Sequence, residues 1–123
     1  IPAGGVNQEL VDVVDLFETF CELTATKHRV ETDGRSIVNQ IHGKEGPMRG
    51  WVHQGLPQGE SIFDGEWRYL IKSEKLIDAR KLPKERELKG AELVDKNDII
   101  DRMKSLYNRV KSNGPAAPES VTR

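Results

Sequence analysis

The chain has one cysteine, Cys21, among its 123 residues. That excludes an internal disulfide and a zinc site built from several thiolates. Its three histidines, His28, His42 and His53, stand fourteen and eleven residues apart. No HExxH or similar short spacing joins them, so no metal site is expected within the chain. Neither sign of charge dominates: 19 Lys and Arg face 20 Asp and Glu, for a formal net charge of -1. Such a balance offers no field for nucleic acid or an anionic membrane. No apolar run approaches the roughly 20 residues of a membrane span. The glycines form neither GxGxxG nor a P-loop, and no Ser-His-Asp order or GxSxG elbow occurs. Hydrophobic residues make up 36% and charged residues 32%, which is lean for one independent core.

What is present begins with an unusually apolar segment. From Leu10 to Leu23, nine of fourteen residues are apolar: Leu10, Val11, Val13, Val14, Leu16, Phe17, Phe20, Cys21 and Leu23. Asp12, Asp15, Glu18 and Glu22 fall at steps of three, three and four, which is one narrow stripe on a helix. Asn7 is the expected N-cap, and the helix is expected to end between Thr24 and Lys27. A helix with so thin a wet face needs cover on most sides, and the rest of the chain supplies little. The chain therefore reads as a piece of a larger protein, with Ile1-Pro2-Ala3-Gly4-Gly5 as a turn-prone entry.

Further on the period changes. Residues 28 to 35 read as a loop with an Asp33-Gly34 turn, and Ser36 caps a short helix to His42. Trp51-Val52-His53 reads as a strand closed by Gly55 to Gly59. Ser61-Ile62-Phe63 and Glu66 to Ile71 flank Asp64-Gly65, a two-residue hairpin signal. Trp67, Tyr69 and Ile71 alternate onto one face, and Lys75 to Ile77 adds another strand. Residues 80 to 96 are charged and read as a solvated loop. Ile99, Ile100, Met103, Leu106, Tyr107 and Val110 recur at helical spacing, with Asn97 as cap and Gly114-Pro115 as stop. The expected fold is α+β: a small antiparallel sheet of three to four strands packed against a C-terminal helix. Its domains run over residues 1–48, 49–113 and a flexible tail at 114–123.

None of these residues composes an active site. Cys21 lies on the apolar part of its helix and reads as a buried structural cysteine. The acidic stripe reads as a solvated face or an interdomain contact. His53, on a strand beside a Gly-rich turn, is the most notable of the three histidines, and only a family resemblance would make it a substrate-pocket rim; the plainer reading is a hydrogen-bonded or surface histidine.

The order of the segments resembles a known family. Leu10-Val11-Asp12-Val13-Val14-Asp15-Leu16-Phe17-Glu18-Thr19 resembles the late "LVxxVDLFPT" helix of formylglycine-dependent sulfatases. Asp33-Gly34-Arg35-Ser36-Ile37 resembles their "DGRSL" segment. Asp64-Gly65-Glu66-Trp67-Arg68-Tyr69-Leu70-Ile71 resembles their "DGxWKLI" hairpin, and Asp78, Pro83 and Glu85 match "DLxxDPxExxNL". The final helix fits the C-terminal helix of the family. Glu18 stands where Pro is usual, Arg68 replaces Lys, and Leu82 and Leu88-Lys89 depart from the last motif.

The resemblance covers residues 1 to about 112 and implies a missing half. It implies a first helix that belongs to a larger α/β sulfatase domain, followed by the C-terminal subdomain. The parent would use a calcium ion and a formylglycine made in a "CxPxR" context, act on a sulfate ester, and be exported, periplasmic or lysosomal. Cys21, followed by Glu22, Leu23 and Thr24, does not fit that context. No catalytic or metal-binding residue carries over. The expected partners are the N-terminal catalytic domain and, for the fragment alone, a second copy. The alternatives are a self-contained interaction module, or a fragment of a related phosphate or phosphonate ester hydrolase.

Overall fold

A computed structural model describes residues 3–46, 49–57 and 59–113. The chain divides after Gly50 into two compact units. The first holds helix α1 (Asp15–Leu23) and a single turn of helix, α2 (Val38–Ile41). Helix α1 is shorter than its apolar pattern predicts. Val11, Val13 and Val14 are β-branched and resist the helix at χ1, and Asn7 caps a local turn instead, accepting the Glu9 N–H at 2.8 Å. Leu10 forms an isolated antiparallel bridge with Arg49. At the other end the Thr24 hydroxyl donates back to the Phe20 carbonyl and Ala25 turns left-handed, which stops the helix. Ser36 accepts the Val38 N–H at 3.3 Å, but the helix begins only at Val38.

The second unit is a five-stranded antiparallel sheet in sequence order: β1 (Val52–Leu56), β2 (Gly59–Phe63), β3 (Trp67–Leu70), β4 (Lys75–Asp78) and β5 (Arg86–Glu87). Five strands replace the three to four expected. The added strand, β5, lies inside the charged stretch that reads as a loop. It shows no apolar alternation; it pairs with Ile77 and Asp78 at the sheet edge, and Leu88 beyond it is buried. A 3-10 turn (Gly90–Lys96) then leads directly into α3 (Asn97–Asn113). Asn97 is therefore already helical and does not cap the start of α3; it closes the 3-10 turn instead, its side-chain amide donating to the Val94 carbonyl. The expected Gly114-Pro115 stop and the 114–123 tail lie outside the described residues.

The β2–β3 turn forms at Asp64-Gly65 but takes in Glu66 as well, so that β3 begins at Trp67 instead of Glu66. The Asp64 carboxylate accepts the Glu66 and Trp67 N–H groups at 3.0 and 2.7 Å, and Gly65 adopts φ 95°, a conformation costly for any side chain. The other Asp64 oxygen accepts from Arg102 of α3, tying hairpin to helix. Register brings Ile62, Tyr69 and Leu76 into one cross-strand row. These three and Met103 of α3 are at most 1% exposed. Trp51, Trp67 and Leu88 complete that core, and Ile99, Ile100, Leu106, Tyr107 and Val110 pack against it. The helix thus covers the Trp67, Tyr69 and Ile71 face, as its periodicity predicts. Arg80 and Lys96 stack over the Trp67 ring at 4.5 and 5.7 Å.

Trp67→Ala is expected to cost this unit about 3–5 kcal/mol, the usual penalty for a truncated core aromatic. His53→Ala is expected to cost under about 1 kcal/mol, because its ring is only half-buried and loses no hydrogen bond at Nε2. Urea midpoints followed by tryptophan fluorescence check both; equal losses would mean that the core is centred elsewhere.

Candidate functional site

Of the acidic stripe, Asp15 alone is buried, at 1% exposed, beside Thr19 at 2%; Asp12 and Glu18 are half-buried and Glu22 is exposed, whereas the pattern alone reads as a solvated face or an interdomain contact. One Asp15 oxygen accepts the Arg35 N–H at 2.8 Å and a bond from Arg49 Nη2. The other accepts the Asp12 N–H at 2.8 Å and Arg49 Nε at 3.0 Å. Arg49 also donates to the Asp33 carbonyl at 2.9 Å. The Thr19 hydroxyl donates to the Asp15 carbonyl at 2.6 Å and accepts the Ile37 N–H at 3.1 Å. Helix α1, the Asp33-Gly34-Arg35-Ser36-Ile37 loop and Arg49 are thereby fastened to one carboxylate and one hydroxyl.

The loop must come very close to do this. A Cβ placed on Gly34 would lie 2.2 Å from the Val14 carbonyl oxygen, so no larger residue fits without a backbone shift. Burial by itself would raise the Asp15 pKa; the Arg49 bonds and the Asp12 and Arg35 amides outweigh it and hold the carboxyl below its ordinary value. Beside it, burial and the charge of Arg49 lower the pKa of Arg35.

A second cluster flanks the first. Glu18 accepts from the Thr32 hydroxyl and lies 3.0 Å from His28 Nε2, while His28 Nδ1 lies 3.0 Å from the Val30 carbonyl. The Thr32 bond first, then the His28 bond, lowers the Glu18 pKa. These groups border a groove of about 460 Å³ that Cys21 also lines. Cys21 is half-buried rather than buried, because its side of α1 faces this groove. Both His28 nitrogens lie 3.0 Å from oxygens, at Glu18 and Val30, not from a thiol partner.

His53 lies in the other unit, opposite Ile62 in the β1–β2 register. Its Nε2 is buried without a hydrogen-bond partner, 3.9 Å from a Glu60 oxygen, and its ring centroid is 6.1 Å from that of Tyr107. It is neither exposed nor satisfied at that nitrogen, unlike the plain surface histidine. Gln54 and Glu60 beside it border a cleft of about 670 Å³ with Ser61, Arg68 and Lys72. Arg68 is already engaged there by Glu85 at 2.9 Å and by Gln54. Among the described residues, no three His, Cys, Asp or Glu side chains gather as a metal-holding group. Residue patterns do not single out Arg49 or Thr19, and they mark Gly34 only as part of a turn; contacts with Asp15 and its helix reveal what the three do.

No family model matches the chain, and neither the curated proteins nor the solved structures include a match to it.

Asp15→Ala is expected to destabilise the first unit by about 3–5 kcal/mol, because it leaves Arg49 buried without its counter-charge. Replacing both partners, Asp15→Leu with Arg49→Met, is expected to recover much of that loss. The pH response follows from the same bond. The folded-state pKa of Asp15 is depressed, so its stabilisation is present above the unfolded value of about 4 and is lost as pH falls through the folded value. The Arg35 and Ile37 amide resonances, followed by NMR from pH 7 to 2, are expected to hold to about pH 4 and collapse below it. An unchanged spectrum at pH 2 would remove Asp15 from this role.

Proposed function

We propose that this chain is the C-terminal part of a sulfuric ester hydrolase resembling the formylglycine-dependent sulfatases, and that it is inactive on its own. The observation that carries this reading is the joining of two sulfatase-like segments. Asp15 and Thr19, from the segment like "VDLFPT", bind the backbone N–H groups of Arg35 and Ile37, from the segment like "DGRSL". Each segment explains the other: the helix supplies the acceptors, and Gly34 lets the loop reach them. A chance likeness in two unrelated stretches does not call for such a junction.

The other side of α1 supports the same reading. Leu16, Phe17, Phe20 and Leu23 are 41–60% exposed. In the parent this face would seat the N-terminal catalytic domain, which would also carry the formylglycine, the calcium ion and the sulfate ester site. Helix α1 would then belong to the larger α/β domain. The sheet and α3 would form the C-terminal subdomain, with His53 as the residue to test at the rim of the substrate pocket.

The second reading, a self-contained interaction module, draws on the sheet unit, whose core closes fully around Ile62, Leu76 and Met103. The coding sequence upstream of Ile1 decides between them. A "CxPxR" or "SxPxR" motif there is expected; a start codon just before Ile1 would overturn the hydrolase reading. The isolated chain is expected to turn over no chromogenic aryl sulfate and to give no tight calcium binding by calorimetry. Turnover by pure protein would contradict its proposed role as an inactive part.

A further inference from the structure

We propose that His28 is a pH-sensitive latch: as an imidazolium it fastens the segment after α1 to the helix, and on losing a proton it releases residues 27–31. Both ring nitrogens meet acceptors. Nε2 lies 3.0 Å from a Glu18 carboxylate oxygen, and Nδ1 lies 3.0 Å from the Val30 carbonyl oxygen. Neither oxygen brings a proton while Glu18 is ionised, so only the doubly protonated ring makes both bonds. A neutral ring keeps one of them. Its bare nitrogen then faces either the Glu18 carboxylate or the Val30 carbonyl, and two acceptors stand in contact.

The surroundings suit a latch. Two adjacent residues of α1 receive the ring: Glu18 takes Nε2, and Phe17 meets the ring edge-on, with centroids 4.8 Å apart at 70°. The other Glu18 oxygen accepts from the Thr32 hydroxyl. Glu22 and Cys21 of α1 and Lys27 of the segment line the same groove, and Arg29 and Glu31 neighbour His28 along the chain. Glu18 and Glu22 favour the imidazolium; Lys27 opposes it. Residues 27–31 belong to no helix or strand, so their order depends on side-chain bonds of this kind. The direction of the response follows. The latch is whole while His28 is charged and Glu18 ionised. It opens as pH rises through the range in which an imidazole gives up a proton, around pH ~6.5 for a free one. It opens again in acid, below 4.5, where Glu18 is protonated. This inference does not rest on the hydrolase reading.

Ring-nitrogen and backbone NMR of the full chain tests it. At about pH 5.5 both His28 ring nitrogens are expected to carry protons, and residues 27–31 to show order parameters of about 0.8. At about pH 8.5 one ring proton is expected to be gone and those order parameters to fall below about 0.6. The Arg35 and Ile37 amides, held by Asp15 and Thr19, are expected to stay unshifted between the two conditions. Glu18→Gln is the discriminating variant. Its amide N–H can donate to a neutral Nε2 while its carbonyl still accepts from Thr32, so the segment is expected to stay ordered at the higher pH. His28→Phe is expected to leave the segment loose at both. A neutral ring at about pH 5.5 overturns the proposal. So does a segment whose order ignores the loss of the ring proton, a Glu18→Gln chain that loosens at the higher pH, or a His28→Phe chain that keeps the native response. None of these results bears on the upstream motif that decides the hydrolase reading.

Discussion

The first unit depends on one carboxylate. Asp15 gathers two backbone N–H groups and two guanidinium donors from three places in the chain. Asp15, Thr19 and Arg49 are the buried residues among those described there, and all three are polar. An interior of this kind is unusual, since burial of apolar area is the ordinary source of stability. A buried ion pair gains little net energy over an apolar substitute, because the desolvation of both charges offsets their attraction. What it does strongly is penalise wrong arrangements: any loop path that leaves Arg49 or Asp15 unpaired costs several kcal/mol. The unit is therefore well specified and thinly stabilised, and its apolar side chains remain outside for something else to cover.

The second unit reverses the balance. Its interior is apolar, and its carboxylates work at the margins. Asp64 closes the hairpin turn and reaches Arg102, so the turn that sets the strand register also sets where α3 lies. Ion pairs of Glu85 with Arg68 and of Glu87 with Lys75 attach the edge of the sheet, where β5 has no apolar side chain of its own to hold it. Arg80 binds Asp78 and stacks on Trp67; that bond leads the causes that bring the Asp78 pKa down to about 2. Such exposed pairs add little stability singly, yet here they follow and frame a strand placed by Leu88 and backbone pairing.

This contrast explains which features were legible in the sequence. The α3 stripe, the alternation of Trp67, Tyr69 and Ile71, and the Asp64-Gly65 turn are local signals, and the structure follows them. Strand β5 was hidden because Arg86 and Glu87 carry no periodic signal. The interior of α1 was hidden for another reason. A stripe of acids opposite a stripe of apolar residues has the same period whichever side faces inward. Only a buried counter-charge decides the orientation, and Arg49 is 34 positions from Asp15. Separation along the chain also concealed the importance of Gly34, whose closeness to Val14 exists only once the loop has docked. The state of His53 was equally unreadable, since its unpaired nitrogen results from how Glu60 and Tyr107 surround it.

The way these carboxylates are used bears on chemistry. A general base needs a lone pair free for a substrate proton, at a pKa near the working pH. Asp15, Glu18, Asp78 and Glu92 are each bound by neighbours that lower the pKa, which moves them away from that range. They are ligands for the protein's own amides and cations. His28 is held between two acceptors. Asp15 and Glu18 fasten loop residues to α1, while Asp78 and Glu92 hold Arg80 and Arg86. The first unit leaves exposed the apolar side of α1, Leu16, Phe17, Phe20 and Leu23, and any surface that covered it would supply the apolar burial its interior lacks.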